Sequence, residues 1–147
     1  MLVSLLPFTT HEYHSAVSPK ACETVLVNIT GITSVQKQPR TGWVYRGVEK
    51  PESIADHMYR MAVLAMTVAG TEYDQSKLVK MAIVHDLAEA IVGDITPVDG
   101  VSQEDKYSRE LAALREIQTM IGMNTAVAQE VGQLWCVLTI SRPRSVL

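Results

Sequence analysis

The stretch Lys77-Leu-Val-Lys-Met81-Ala-Ile-Val-His85-Asp86-Leu-Ala-Glu89-Ala-Ile-Val-Gly93-Asp94-Ile95 decides how the chain is read. Leu78, Met81, Ala82, His85, Ala88 and Glu89 recur at helical spacing, so the pattern predicts a helix from near Asp74 to a stop at Gly93. Its centre, Met81 to Val84, is apolar all round, and a helix of that kind is normally buried on most sides. The His85-Asp86 pair therefore enters a region where water is scarce and ionisable groups need partners. Glu89 follows four residues after His85 and three after Asp86, on the same face one turn further on. Asp94 lies just past the stop, where a loop carboxylate can turn back toward the same cavity, although a solvated turn aspartate is the plainer reading of that residue alone.

Upstream, Ser53 with Asp56 three residues later is a helix-start signal, followed by His57, Met61, Leu64, Ala65 and Val68 at helical spacing until Gly70. His85 and Asp86 are about 100° apart on one helix, so both reach an ion beside it while His57 approaches from the other. Two imidazoles and one carboxylate form half of a metal shell. Such nitrogen and oxygen donors suit Mn, Co, Fe, Ni or Zn, and the lack of thiolates speaks against a closed structural zinc site. A single histidine of this kind is more often a hydrogen-bonded core group. Yet Asp86, Glu89 and Asp94 buried together repel one another unless cations lie among them or their protonation shifts, and metal is the preferred reading.

Pro39 to Pro51 is punctuated by Pro and Gly and predicts a loop that presents Arg40, Trp43 and Arg46. Asp94 to Gly100 is a second loop. Ser102 with Glu104 and Asp105 then opens a charged amphipathic surface helix through Leu111, Leu114 and Ile117 to Gly122. Asn124 or Thr125 caps a last helix through Val127, Val131, Leu134 and Trp135, and Ser-Arg-Pro-Arg ends the pattern. Residues 1–35 show no sustained periodicity. Val25 to Ile29 fits a strand or a helix fragment, and Gly31 with Thr30 and Thr33 reads as loop.

The 147 residues, 47% of them hydrophobic, suffice for one domain with a core and are too few for two ordinary ones. A net charge of -3 with no basic stripe gives no support for binding a nucleic-acid polymer. Cys22 and Cys136 form neither a disulfide framework nor a zinc ribbon, which fits a reducing compartment. The longest uncharged runs, such as Ile117 to Gln129, fall short of the roughly 18 residues that span a bilayer. The opening Met1 to Phe8 lacks a basic lead-in, so no membrane partner and a cytoplasmic location are expected.

Taken in order, Arg40-Thr-Gly-Trp43, Glu52-Ser-Ile-Ala-Asp-His57, His85-Asp86-Leu-Ala-Glu89 and Gly93-Asp94-Ile95 resemble the HD-domain 5′-deoxynucleotidase family, and within it the HD domain-containing protein 2 group. The likeness covers residues 36–135. It implies an all-α fold, a partial HD-domain helical bundle, flanked by a divergent N-terminal segment (1–35) and a divergent C-terminal tail (136–147). It also implies a hydrolase of nucleotide metabolism that removes the 5′-phosphate from a deoxyribonucleoside 5′-monophosphate with one or two divalent ions per site, manganese, cobalt or magnesium. By resemblance His57, His85 and Asp86 hold the first metal. Glu89, Asp94 and the Ile95 carbonyl bind a second or face the phosphate, with Glu89 and Asp94 catalytic, Arg40 on the phosphate and Trp43 against the sugar. Trp43 alone reads equally as a packing aromatic.

The family's ligand set closes with an aspartate on a later helix, and no residue after Asp105 is aspartate. The implied activity is therefore that of a truncated, impaired enzyme. The competing expectation is a catalytically silent HD fragment that binds nucleotide weakly or pairs with a full-length protomer, and apolar faces left uncovered favour association, including as a homodimer. A triphosphohydrolase or cyclic-nucleotide phosphodiesterase shares the His-Asp pair, but the Arg40 to Trp43 loop argues against both.

Overall fold

A computed structural model describes residues 33–68 and 72–140. Among them a helical turn over 33–37 is followed by α1 (Thr41–Tyr45), α2 (Ile54–Thr67), α3 (Gln75–Val84), α4 (Glu89–Val92), a 3₁₀ turn (Pro97–Asp99), α5 (Gln103–Ile121) and α6 (Ala126–Ile140). The described residues form no strand, only an isolated antiparallel bridge between Pro39 and Ser53, and the fold is all-α. No described helix is long and apolar enough to cross a membrane. Cys22, Val25 to Ile29, Gly31 and the residues beyond Ile140 lie outside the described residues.

The helix starts follow local chemistry. Ser53 accepts from the Asp56 amide and Asp56 accepts from the Ser53 amide, both at 3.1 Å, a reciprocal capping box that opens α2. Asp74 accepts from the Lys77 amide, Ser102 from that of Asp105, and Thr125 from that of Ala128. Ser53→Ala should lower stability by about 1 kcal/mol, read as a lower urea midpoint at unchanged slope. A larger loss would mean that the Pro39 bridge also depends on the side chain.

Five local expectations are corrected. Thr33 is helical rather than loop, Pro39 to Pro51 contains α1, and α2 ends at Thr67. The helix expected through Gly93 breaks in two: α3 ends at Val84 and α4 starts at Glu89. Across the break the amides of Leu87, Glu89, Ala90 and Ile91 each bond the carbonyl three residues back, tightening the backbone to 3₁₀ turns. Ile83 is half exposed, so α3 is not buried on all sides. Gly93 ends α4 at φ 83°, a left-handed conformation that a side chain strains, and a Cβ there would meet the Gln38 amide nitrogen at 3.1 Å.

Helix α2 packs along α3, α6 meets both α3 and α5, and α4 rests on α5. Two apolar clusters result. Val84, Leu114, Leu134 and Trp135 form one, with Met81, Leu111 and Val131 against it. Val35, Ile54 and Met58 form the other, with Ala55 and Ala90 beside it. Val35 is fully buried and the Ser34 hydroxyl donates to the Ala90 carbonyl at 2.9 Å, so packing begins before residue 36. Val84 immediately precedes His85, and Ile54 and Met58 flank His57. The buried apolar side chains thereby fix the helix faces from which both imidazoles project.

Candidate functional site

His57 projects from the first turns of α2, and His85 closes α3. The His85 Nδ1 lies 2.7 Å from the Ala82 carbonyl and in the neutral ring donates to it, which leaves Nε2 with a lone pair toward the cleft. That atom is 3.2 Å from His57 Nε2 and 3.1 Å from Asp86 Oδ2, and His57 Nε2 is 3.7 Å from the same carboxylate oxygen. One ligand atom from each of the three residues lies within 4.8 Å of the others. Two ring nitrogens facing each other at contact distance need a proton or a cation between them. Two imidazoles and a buried carboxylate are the donor set of a borderline divalent ion, so these residues fit a metal.

The carboxylates gather one step away. Arg40 at the start of α1 places a single nitrogen, Nη1, 2.9 Å from Asp86, 3.1 Å from Glu89 and 3.3 Å from Asp94. The Thr41 amide donates to the other oxygen of Asp94 at 2.7 Å. Burial pushes the Glu89 carboxyl up to about 8, the charges of Asp86 and Asp94 add to this, and Arg40 and Lys106 oppose it. A divalent ion beside Asp86 would also pull it down. For Asp86, burial works against ionisation, but the hydrogen bond and charge of His85, with Arg40 and His57, outweigh it and hold the carboxyl below its ordinary value. Burial and then Arg40 lower His57. Burial opposes the His85 cation too, yet Asp86 overcomes it and the net shift is upward.

Trp43 stands at the rim, 42% exposed, its indole N–H donating to Glu52 at 3.3 Å and the Arg46 guanidinium 6.0 Å from its ring centre. Ile95 lines the cleft, but its carbonyl accepts from Lys106 Nζ at 2.5 Å. The cleft encloses about 430 Å³, and Arg40, Trp43, His57, Asp86, Glu89, Asp94 and Ile95 all line it. His85 meets it through His57 and Asp86.

Sequence reasoning missed three contributors. Glu52 joins Trp43 to Arg60, whose Nη2 lies 2.5 Å from it, and its position within the Glu52 to His57 motif was the available signal. Lys106 reaches the cleft from α5 and also lies 3.5 Å from Glu110; on a charged amphipathic helix it reads as solvated. The Tyr45 hydroxyl donates to Asp99, 54 positions away, and no local pattern announces that bond.

A family model described as HD domain matches residues 32–136. The chain is 44% identical over 104 residues to the 5′-deoxynucleotidase HDDC2 of Mus musculus and 46% identical over 106 residues to the 5′-deoxynucleotidase hdd1 of Schizosaccharomyces pombe. Each alignment covers 71% of this chain, and the chain spans about half the length of these relatives, 51% and 54% respectively. Among solved structures the PH0347 protein of Pyrococcus horikoshii OT3 superposes with a TM-score of 0.56 at 32% identity, over 76% of this chain and 72% of that one. With two histidines and an aspartate converging on one cleft, and the family match spanning all of the residues that line it, the chain belongs to the HD-domain family, among relatives named 5′-deoxynucleotidases.

Proposed function

We propose that this chain is a divalent-metal-dependent phosphohydrolase that removes the 5′-phosphate of deoxyribonucleoside 5′-monophosphates. The convergence of His57, His85 and Asp86 beside Glu89, Asp94 and Arg40 in one cleft carries the reading. The relatives' names supply the substrate class. His57, His85 and Asp86 would hold the ion; Glu89 and Asp94 would bind a second or face the phosphate, and the Ile95 carbonyl would join them only on release from Lys106; manganese, cobalt or magnesium is the proposed occupant. When bound, a divalent ion supplies charge that polarises the phosphoryl oxygens and lowers the pKa of water at neutral pH.

The remaining chemistry belongs to the chain. Arg40 offers a planar guanidinium fork to the phosphate dianion while one nitrogen braces the three carboxylates. Asp94, held by the Thr41 amide, fixes the angle of that fork. Trp43 lies against the sugar and Glu52 holds its indole in place. Glu89 is placed to give a proton to the 5′ oxygen as its bond to phosphorus breaks and a water oxygen bonds to phosphorus on the opposite side.

Among the described residues three ligands converge on this point, and three hold a divalent ion less tightly than four. Phosphate release from deoxyribonucleoside monophosphates should therefore be low in the chain as purified, should rise with added Mn²⁺ or Co²⁺, and should stay below the rate of a longer relative. Turnover at that relative's rate without added metal would show that another group completes the site. A chain that binds no metal and releases no phosphate at saturating Mn²⁺ would instead favour the silent, nucleotide-binding alternative.

A further inference from the structure

Helix α1 carries Arg40 at its N-cap and Trp43 at its centre, yet none of its five residues is buried. It is far shorter than the roughly 12–15 residues at which an isolated helix becomes even marginally stable in water. Apolar burial does not hold it, so its place over the cleft rests on polar ties. At one end the Thr41 amide donates to Asp94 at 2.7 Å and the Arg40 amide to the Glu52 carbonyl at 2.9 Å. At the other the Tyr45 hydroxyl donates to Asp99 Oδ1 at 2.5 Å. Thr41 and Tyr45 stand one helical turn apart on one face. Asp94 and Asp99 are the two ends of the loop that carries Ile95, Thr96 and Pro97 along the cleft wall. The second Asp99 oxygen accepts from the Thr96 amide at 2.6 Å and from its hydroxyl at 2.8 Å, which anchors the carboxylate in its own loop. Neither Tyr45 nor Asp99 lines the cleft.

We propose that Tyr45 and Asp99 are a positioning pair that clamps α1 to the Asp94–Asp99 loop and thereby sets the affinity of the cleft for a phosphomonoester. The proposal rests on the phosphohydrolase reading for its ligand, but the clamp itself does not depend on it. A hydroxyl bonded to a carboxylate is a charge-assisted contact, stronger than a neutral one. Without it α1 spends part of its time with Arg40 and Trp43 out of place. Apparent affinity then falls by the competent fraction, while the rate from the bound, correctly placed state is unchanged.

Tyr45→Phe removes only the hydroxyl, and with dAMP as the probe KM should rise about three- to tenfold, the loss falling on KM rather than on kcat. Asp99→Asn should act in the same direction and more strongly, because Asp99 also anchors Thr96. The double variant should be no worse than Asp99→Asn alone, since residues that share one contact are not additive. Amide hydrogen exchange at Trp43 and Val44 should quicken in Tyr45→Phe while the α2 amides stay protected, with Tyr59→Phe on the outer face of α2 as the control. Exchange needs no substrate, so a wild-type chain that turns over no nucleotide defeats the functional reading alone, and exchange still decides the clamp. Unchanged exchange with unchanged KM, a loss in kcat instead of KM, or additive single-variant effects would each overturn the proposal.

Discussion

Asp86→Asn should cut metal-stimulated phosphate release by at least about a hundredfold while leaving the chain folded. The carboxylate is 5% exposed and touches both imidazoles and Arg40, so an amide in its place keeps the shape and removes the anionic donor. Stability should fall somewhat, because His85, Arg40 and His57 favour the charged carboxylate more than burial opposes it, and the amide forfeits that gain. Part of the loss is returned at Glu89, whose pKa is held up by burial first and then by the charges of Asp86 and Asp94, because neutralising Asp86 relieves its share of that repulsion. His85→Ala should abolish release as well, by deleting a nitrogen that faces the same point. Calorimetric Mn²⁺ titration together with a melting curve separates the outcomes. An Asp86→Asn chain that binds Mn²⁺ as tightly as wild type and keeps its rate would refute the assignment of this cleft.

Trp135→Ala should have the largest effect on folding. Trp135 is 1% exposed, stacks on Tyr107 at 5.6 Å between ring centres, and packs with Val84, Leu114 and Leu134. Truncating a buried tryptophan costs about 3–5 kcal/mol, out of a total stability of about 5–15 kcal/mol for a typical domain. The melting temperature should fall by more than about 10 °C, with metal affinity lost in parallel because Val84 leads directly into His85. Val127→Ala on the exposed face of the same helix should change stability by no more than about 0.5 kcal/mol. Equal effects of the two substitutions would mean that α6 does not close the core.

What could be read from the sequence follows from the range of its signals. Helical spacing and cap chemistry are local, so α2, α5 and α6, their capping residues and the inward faces of His57 and His85 were legible. Adjacency was enough to bring Asp86 to His85. Arg40 was legible as a candidate for an anion, but not as the nitrogen shared by three carboxylates, because that contact joins positions 46 to 54 residues apart. Lys106 looked solvated for the same reason: its partner is a backbone carbonyl on another element, and carbonyls carry no sequence signature. Val35 lay in a stretch without periodicity, and one buried residue in a single helical turn produces none.

The tightened backbone between Val84 and Ile91 bears on any attempt to redesign this segment. A regular α-helix turns about 300° over three residues, whereas a 3₁₀ turn completes about 360°, so the tightening advances Glu89 by on the order of 60° relative to Asp86. That change of phase brings the two acids onto one meridian, where a single guanidinium nitrogen meets both. Idealising the stretch with strong helix formers, which ordinarily raises stability, would rotate Glu89 off the meridian and leave both acids present in composition but out of register with each other. The identity of these residues and the pitch of the backbone that carries them therefore have to be conserved together.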